Sequence, residues 1–507
     1  MHLLIAVVLS CIPLLAASAQ SLSAPVRNGL ESITEADVQH RIGIIAHDSM
    51  AGRDTPSRGL DLTAAWIASE FKRFGLKPAL DDGSFLQRYP LSRRSLDVDS
   101  SFLAVRGNHP LRVSFRTDAV YSGGDRGTAA RAGAAIVLAG TPPTGTLTSA
   151  ALKGNVAVIP IAGMPGRAML QRIAQLGSSG PALVVLVTNA DSAAFSRIVM
   201  RQSRARMAVE QTPAPGGAGP LVVTVREKTL APMLRRPGLD LARLRRDSSN
   251  TTVPLAGSTI SARVIERVED RTFAPNVVGV LEGTDPVLRN EYVVFSAHMD
   301  HVGIGRPVNG DSIFNGADDD ASGTVGVVEL AEAFSRPGAR PKRSLIFLTV
   351  SGEEKGLWGS AWFAEHSPVP MERIVADLNM DMIGRNWTDT IVVIGKEHSD
   401  LGATLNRVNA AHPELNMNAI DDIWPQENFY FRSDHYNFAR KGVPILFFFN
   451  GTHPDYHRPG DSVDKIDAEK ESRIIRLVYL IGQEVGNAAE RPKWNPESYK
   501  RIVQDAP

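Results

Sequence analysis

At 507 residues the chain is longer than one ordinary compact domain, so two folded units with a sizeable buried core are expected. Hydrophobic residues make up 43% and charged residues 22%, and 55 Lys plus Arg against 55 Asp plus Glu leave a formal charge of +0. That balance gives no electrostatic ground for nucleic acid or an anionic membrane as partner, and a single cysteine, Cys11, excludes a disulfide framework.

The first residues, MHLLIAVVLSCIPLLAASAQ, form a short apolar run that ends in the small residues Ala17-Ser18-Ala19. This is the pattern of a cleaved leader, and the run is too short for a membrane span. Residues 1–19 are therefore expected to be a signal peptide cut after Ala19, giving a secreted or periplasmic protein with no stable membrane span. Cys11 falls inside the leader, so the mature chain has no thiol and cysteine catalysis is excluded.

Within residues 20–102, Leu60, Ala64, Ile67, Phe71 and Phe74 recur at spacings of four and three, one apolar helix face that Gly75 closes. From 103 to 264 short runs such as AAIVLAG, NVAVIPIAG and PALVVLVTN alternate with Gly/Pro/Ser/Thr turns, which predicts a separate β-rich module. From 265 to 490 the pattern is strand, loop, helix: EYVVFSA, RSLIFLTVS, IVADLNM and VPILFFF are strands, with TVGVVELAEAF and GSAWFAEH as helices between them. Continuous apolar strands alternating with helices predict an α/β fold with a mostly parallel central sheet flanked by helices. Residues 491–507 read as a polar tail.

The chemistry gathers at the ends of these strands, where ligands bind in such sheets. The first runs into His298-Met299-Asp300-His301, and the next loop is NGADDDASG, with Asp318, Asp319 and Asp320. The others run into Glu353-Glu354, into Asp381, and into THPDYHRPGD with His453, Tyr456, His457 and Asp461. Imidazole and carboxylate without thiolate suit zinc in a catalytic site. Two ions about 3.5–4 Å apart need one bridging carboxylate and terminal ligands on either side. His298 and Asp300 are two apart, so an extended backbone points both the same way, and Asp300 can accept the other imidazole N–H. Pro454 lies between His453 and His457, which rules out a helical pair; spacing does not choose the ligand, nor does it divide roles between Glu353 and Glu354.

In this order and spacing, HMDHVG, NGADDDASG, SGEEKGLWGS, LNMDMIG and DYHRPGDSVDKID strongly resemble the M28 family of di-zinc exopeptidases. MAGRDTPSRG with its helix resembles the family's N-terminal catalytic segment, and the module 103–264 resembles an inserted protease-associated domain. The resemblance implies two Zn2+ ions, His298 and Asp381 on one, Glu354 and His457 on the other, with Asp319 bridging. It further implies Glu353 as general base, Asp300 as the partner of His298 and Tyr456 as a donor to the tetrahedral oxyanion. The implied activity is that of an aminopeptidase acting on peptide or protein N-termini, in which Glu353 takes the proton of the attacking metal-bound water.

Two other readings compete. The same metal site supports carboxypeptidases and glutaminyl cyclases; a carboxypeptidase needs arginines for the substrate carboxylate, and Arg385 and Arg432 are the candidates. A receptor-like protein without catalysis should have lost ligands, and here the whole set is present. His301 and His453 read as loop or supporting histidines, Ser433-Asp434-His435 as a structural element rather than a triad, and Phe447 to Phe449 as core. Asn250 and Asn386 head glycosylation sequons, which matter only outside bacteria.

Overall fold

The computed structural model describes residues 22–124, 130–138, 152–161, 176, 180–210, 220–234, 239 and 252–505. The expected leader and the Asn250 sequon lie outside them. The chain forms two compact units, Met1–Tyr89 with Phe273–Pro507, and Pro90–Thr272. The inserted unit is thus wider than the expected 103–264, because the strands Leu86–Leu96 and Glu266–Leu281 run through both divisions and composition marks no point inside a continuous strand.

In the unit Pro90–Thr272 the three apolar runs are the strands Arg131–Leu138, Val156–Pro160 and Leu183–Thr188. They pair in parallel with one another and with Leu221–Arg226. Val156, Val158, Val185 and Val187 enter one apolar cluster, and Ala157, Ile159, Val184 and Leu186 another. Successive residues point to opposite faces, so both faces of this sheet are covered, which explains the unbroken apolar texture. Helices Ser192–Gln202 and Glu227–Leu234 make the unit mixed rather than purely β.

The other unit is built on β1 (Glu266–Leu281, from Phe273 onward), β2 (Tyr292–His298), β3 (Ser344–Val350), β4 (Ile374–Met380), β5 (Thr390–Ile394), β6 (Asn418–Ile420) and β7 (Ile445–Phe448). Their order across the sheet is β6-β5-β7-β4-β2-β3-β1. The centre, β7-β4-β2-β3, is parallel, while β1 and β5 pair antiparallel at its flanks. Four helices matter to the site: α1 (Arg58–Arg73), α2 (Gly323–Ser335), α3 (Trp358–Glu365) and α4 (Ala468–Asn487). On one face Phe295 of β2 stacks on Phe347 of β3 at 5.4 Å, against Phe71 of α1 and Phe334 of α2. On the other face Val294, Ile346 and Leu348 share a core with Phe363 of α3. Leu60, Ala64, Ile67 and Phe71, the predicted face of α1, are fully buried.

Of the expected polar tail, residues 491–505 are described, and they pack onto the fold. Pro496–Tyr499 is helical, Ile502 is buried, and Trp494 and Val503 pack on the core that holds Phe438 and Phe447. Trp494 Nε1 also donates to the Gly442 carbonyl at 2.9 Å. Three apolar residues anchor the segment, and average composition hides them. Among the described residues no helix is long and apolar enough to cross a membrane.

One core position carries a polar cost. Asp377 of β4 accepts from Ser296 Oγ of β2 at 2.7 Å, and burial pushes its carboxyl up to about 8. The folded chain therefore keeps this proton up to a pH near 8, whereas the unfolded chain releases it near 4. The unfolded state gains stability relative to the folded state as pH rises between those values. Asp377→Asn keeps the acceptor and removes the proton, so it should raise the melting temperature at pH 8 and leave it unchanged at pH 4. An equal shift at both pH values would assign the effect to packing instead.

Candidate metal centre

The centre forms where the parallel strands end. β2 delivers His298, and the loop after β3 delivers Glu353 and Glu354 past Gly352, whose φ is +73°. A Cβ on Gly352 would lie 2.8 Å from the Tyr89 hydroxyl and 2.9 Å from Trp358 Cβ, so this turn accepts only glycine. β4 delivers Asp381, the loop after β7 delivers Tyr456 and His457, and the turn Ala317–Ser322 before α2 delivers Asp319. Arg53, Leu357, Met382 and His457 all have positive φ, between 52° and 62°. Side-chain-bearing residues rarely adopt that backbone, and such residues gather at functional sites.

Two groups of donors share Asp319. In the first, His298 Nε2 lies 3.4 Å from Asp319 Oδ1 and 3.6 Å from Asp381 Oδ1. In the second, His457 Nε2 lies 3.1 Å from both Asp319 Oδ2 and Glu354 Oε1. The five residues expected as ligands are thus brought together, and of the two histidines around Pro454 it is His457 that reaches the group. His453 is buried elsewhere, with Nε2 3.3 Å from Asp318 Oδ2.

His301 is the residue that sequence reasoning set aside. It is fully buried within the second group, with Nδ1 2.9 Å from Glu354 Oε1 and 3.6 Å from Asp319 Oδ2. The signal was present in HMDHVG, but a second histidine three residues after the first fits no single strand face. The chain turns after β2 and brings it back.

The supporting bonds revise one expectation. The Asp300 carboxylate does not hold the His298 ring: its Oδ1 is 3.8 Å from Nδ1, whereas the Asp300 backbone carbonyl is 3.1 Å away. A carbonyl only accepts, so Nδ1 carries the proton and Nε2 presents its lone pair to the site. The carboxylate instead accepts from Thr55 Oγ1 (2.9 Å) and from the Glu353 backbone N–H (3.2 Å), and Thr55 Oγ1 in turn accepts from Gly352 N–H (3.0 Å). Asp300 therefore fixes the loop that carries the two glutamates. Burial raises its carboxyl to about 6, and the nearby Glu354 adds to the rise.

Asp320 accepts from the backbone N–H groups of His298, Gly323 and Met382, tying β2, α2 and the loop after β4 together. Asp461 accepts from the N–H groups of Asp318 and Asp319, and the Asp319-Asp320 peptide is cis. Ser433 Oγ donates to Asp381 Oδ2 at 2.9 Å, while His435 Nε2 bonds the Tyr430 carbonyl and burial lowers its pKa to about 3. The Ser-Asp-His run therefore orients a donor and does not form a triad. Arg53, fully buried, donates to the carbonyls of Ile45, Met299, Asn315 and Gly316. Burial lowers its pKa to about 10, and the charges of Asp319, Asp461, Asp300 and Asp320 oppose that shift.

Glu353 lines the cleft with His298, Asp319, Asp381 and Tyr456, outside both donor groups. Burial pushes its carboxyl well above the usual range, and Asp434, Asp381 and Glu354 add to the shift. Met382, Phe429, Phe447 and Phe449 form the apolar wall of the same cleft, and Tyr456 stacks on His457 at 3.9 Å. Of the two arginines weighed as carboxylate anchors, Arg432 lines the cleft and Arg385 pairs with Asp455 at 3.2 Å.

The donors fit divalent zinc. They are imidazoles and carboxylates, and His301 Nδ1, Asp319 Oδ2 and Glu354 Oε1 are buried without a hydrogen-bond partner although they face one another. Buried polar atoms are normally satisfied, and convergent lone pairs are satisfied by a cation between them.

Residues 276–481 match the model of Peptidase family M28. A probable leucine aminopeptidase of Arthroderma otae is 27% identical over 232 residues, 44% of this chain and 61% of that protein. A probable zinc metalloprotease of Pyricularia oryzae is 35% identical over 271 residues, 44% of this chain and 52% of that protein. The chain spans about three fifths of the length of the aminopeptidase it matches. Among solved structures, an aminopeptidase from Aneurinibacillus sp. strain AM-1 aligns over 92% of this chain and 97% of its own at 19% identity, with a TM-score of 0.49.

Proposed function

We propose that this chain, whose residues 276–481 form a Peptidase family M28 domain, is a secreted di-zinc aminopeptidase that releases N-terminal residues from peptides. The observation that carries the reading is the pair of donor groups sharing Asp319, with Glu353 beside them and outside both. His298, Asp319 and Asp381 would hold one ion, and Asp319, Glu354 and His457 the other. Zinc supplies Lewis acidity there, polarising the scissile carbonyl and making a water acidic enough to attack at neutral pH.

The chain's own residues do the rest. The Glu353 carboxylate takes the proton of the attacking water and returns it to the leaving amine. The Tyr456 hydroxyl, on the cleft wall, donates to the oxyanion that develops on the carbonyl. Ser433 keeps Asp381 aimed, and the Asp300 carboxylate keeps Glu353 in place through its backbone. Met382, Phe429, Phe447 and Phe449 suit an apolar side chain at the residue being released. The unit Pro90–Thr272 is read as a protease-associated domain.

The test uses protein recovered from outside the producing cell, whose first residue should be Gln20. A panel of aminoacyl chromogenic substrates is assayed as free amines and N-acetylated, with chelator and after zinc is restored. Cleavage of the free amines only, lost with chelator and regained with zinc, is the expected result, with apolar residues preferred. Activity on N-acetylated peptides with a free C-terminus would favour the carboxypeptidase reading, for which Arg432 would be the anchor.

A further inference from the structure

We propose that His301 is a fourth protein donor to the second ion, so that the two metal positions differ in kind: one is closed by protein, the other open to water and substrate. The inference rests on the di-zinc reading above and concerns a residue outside the ligand set that reading uses.

Four atoms surround the second position: His301 Nδ1, Asp319 Oδ2, Glu354 Oε1 and His457 Nε2. Four of their separations are 2.9, 3.1, 3.1 and 3.6 Å. Zinc bonds of about 2.0–2.1 Å at tetrahedral angles set donors roughly 3.3 Å apart, and the observed values straddle that edge. A plain hydrogen bond from His301 to Glu354 does not explain the close approach. Nδ1 lies within reach of two carboxylate oxygens at once, Glu354 Oε1 at 2.9 Å and Asp319 Oδ2 at 3.6 Å, and His457 Nε2 converges on the same two oxygens. The His301 ring nitrogens are fully buried and unpartnered, a costly arrangement unless a third centre accepts a lone pair.

The fold also makes a seat for this ring. Gly316 has φ +57°, and a Cβ there would stand 2.6 Å from His301 Cγ and Cδ2. Arg53 holds both walls of the seat, through the carbonyls of Met299 on one side and of Asn315 and Gly316 on the other. Among the described residues the first position has no counterpart, its group being His298, Asp319 and Asp381. Four protein donors describe a closed zinc site and three an open one. The second ion then binds tightly and holds the loops together, while the first is exchangeable and meets the substrate.

The test reads metal binding and coordination rather than hydrolysis. The full-length protein, stripped of metal, is titrated with zinc against a chromogenic chelator, alongside His301→Gln and a His453→Gln control. Wild type should bind two ions of unequal affinity, and His301→Gln should weaken the tighter one by at least about 10–100-fold, the loss typical of removing even an outer partner, and leave the other unchanged. His453→Gln should bind like wild type. Because His301→Gln can unfold, zinc absorption spectroscopy and a crystal structure of zinc-loaded wild type give a second reading: His301 Nδ1 should lie about 2.0–2.1 Å from zinc. Equal affinities in wild type and His301→Gln, or a nitrogen outside bonding distance in the crystal, would overturn this inference and leave the di-zinc reading intact. A wild-type protein that binds no zinc would overturn both.

Discussion

Glu353→Gln is expected to lower turnover by about 10²–10⁴-fold, the usual contribution of a general base, with two zinc ions still bound. Glutamine has nearly the same shape, and Glu353 belongs to neither donor group, so the substitution removes proton transfer and leaves the donor set whole. The Glu353 backbone N–H still reaches Asp300 Oδ1, so the loop should stay in place. Zinc content by elemental analysis, measured beside kcat on the same preparation, separates the two effects. Full activity in Glu353→Gln would sink its assignment as base. Glu354→Gln should behave in the opposite way, with zinc lost first and activity lost as a result.

Asp319→Ala is expected to cost both ions at once. Asp319 offers Oδ1 to His298's group and Oδ2 to the group of Glu354 and His457, and among the described residues no other side chain belongs to both. The loss should exceed the about 10–100-fold that follows removal of an outer partner, and the protein should come through dialysis nearly free of zinc. His298→Ala should keep one ion. Retention of both ions at wild-type affinity by Asp319→Ala would show that the bridge is not shared.

Much of this centre was legible in the sequence because the chemistry sits at strand ends. β2, β3 and β7 appear in the sequence as largely apolar runs and β4 as one that Asp377 and Asn379 interrupt, and His298, Glu353, Glu354 and Asp381 stand at or just beyond the ends of three of them. Parallel pairing then forces those ends to one edge. Less was legible wherever the backbone turns. His301 required knowing that the chain doubles back after β2, and Asp300 was assigned a ring contact that its own carbonyl makes instead. Thr55 and Arg53 lie about 245 residues from the groups they hold, and no local pattern links them. The Ser433 contact with Asp381 was hidden in a run that imitates a triad. The bounds of the inserted unit were misplaced because they fall inside strands, where composition does not change.

The Arg53 clamp sets a clock on synthesis. Its guanidinium closes on carbonyls of Met299 and Gly316, 246 and 263 residues further along the chain. At translation rates of about 5–20 residues per second those partners emerge roughly 10–50 s after Arg53 itself. The whole unit Pro90–Thr272 is made within that interval and is complete only shortly before Met299 appears, while the segment that precedes it waits with Arg53, buried in the finished fold, still in water. The metal centre is therefore a late product of the nascent chain, assembled only after the segments that frame it have been made in two instalments.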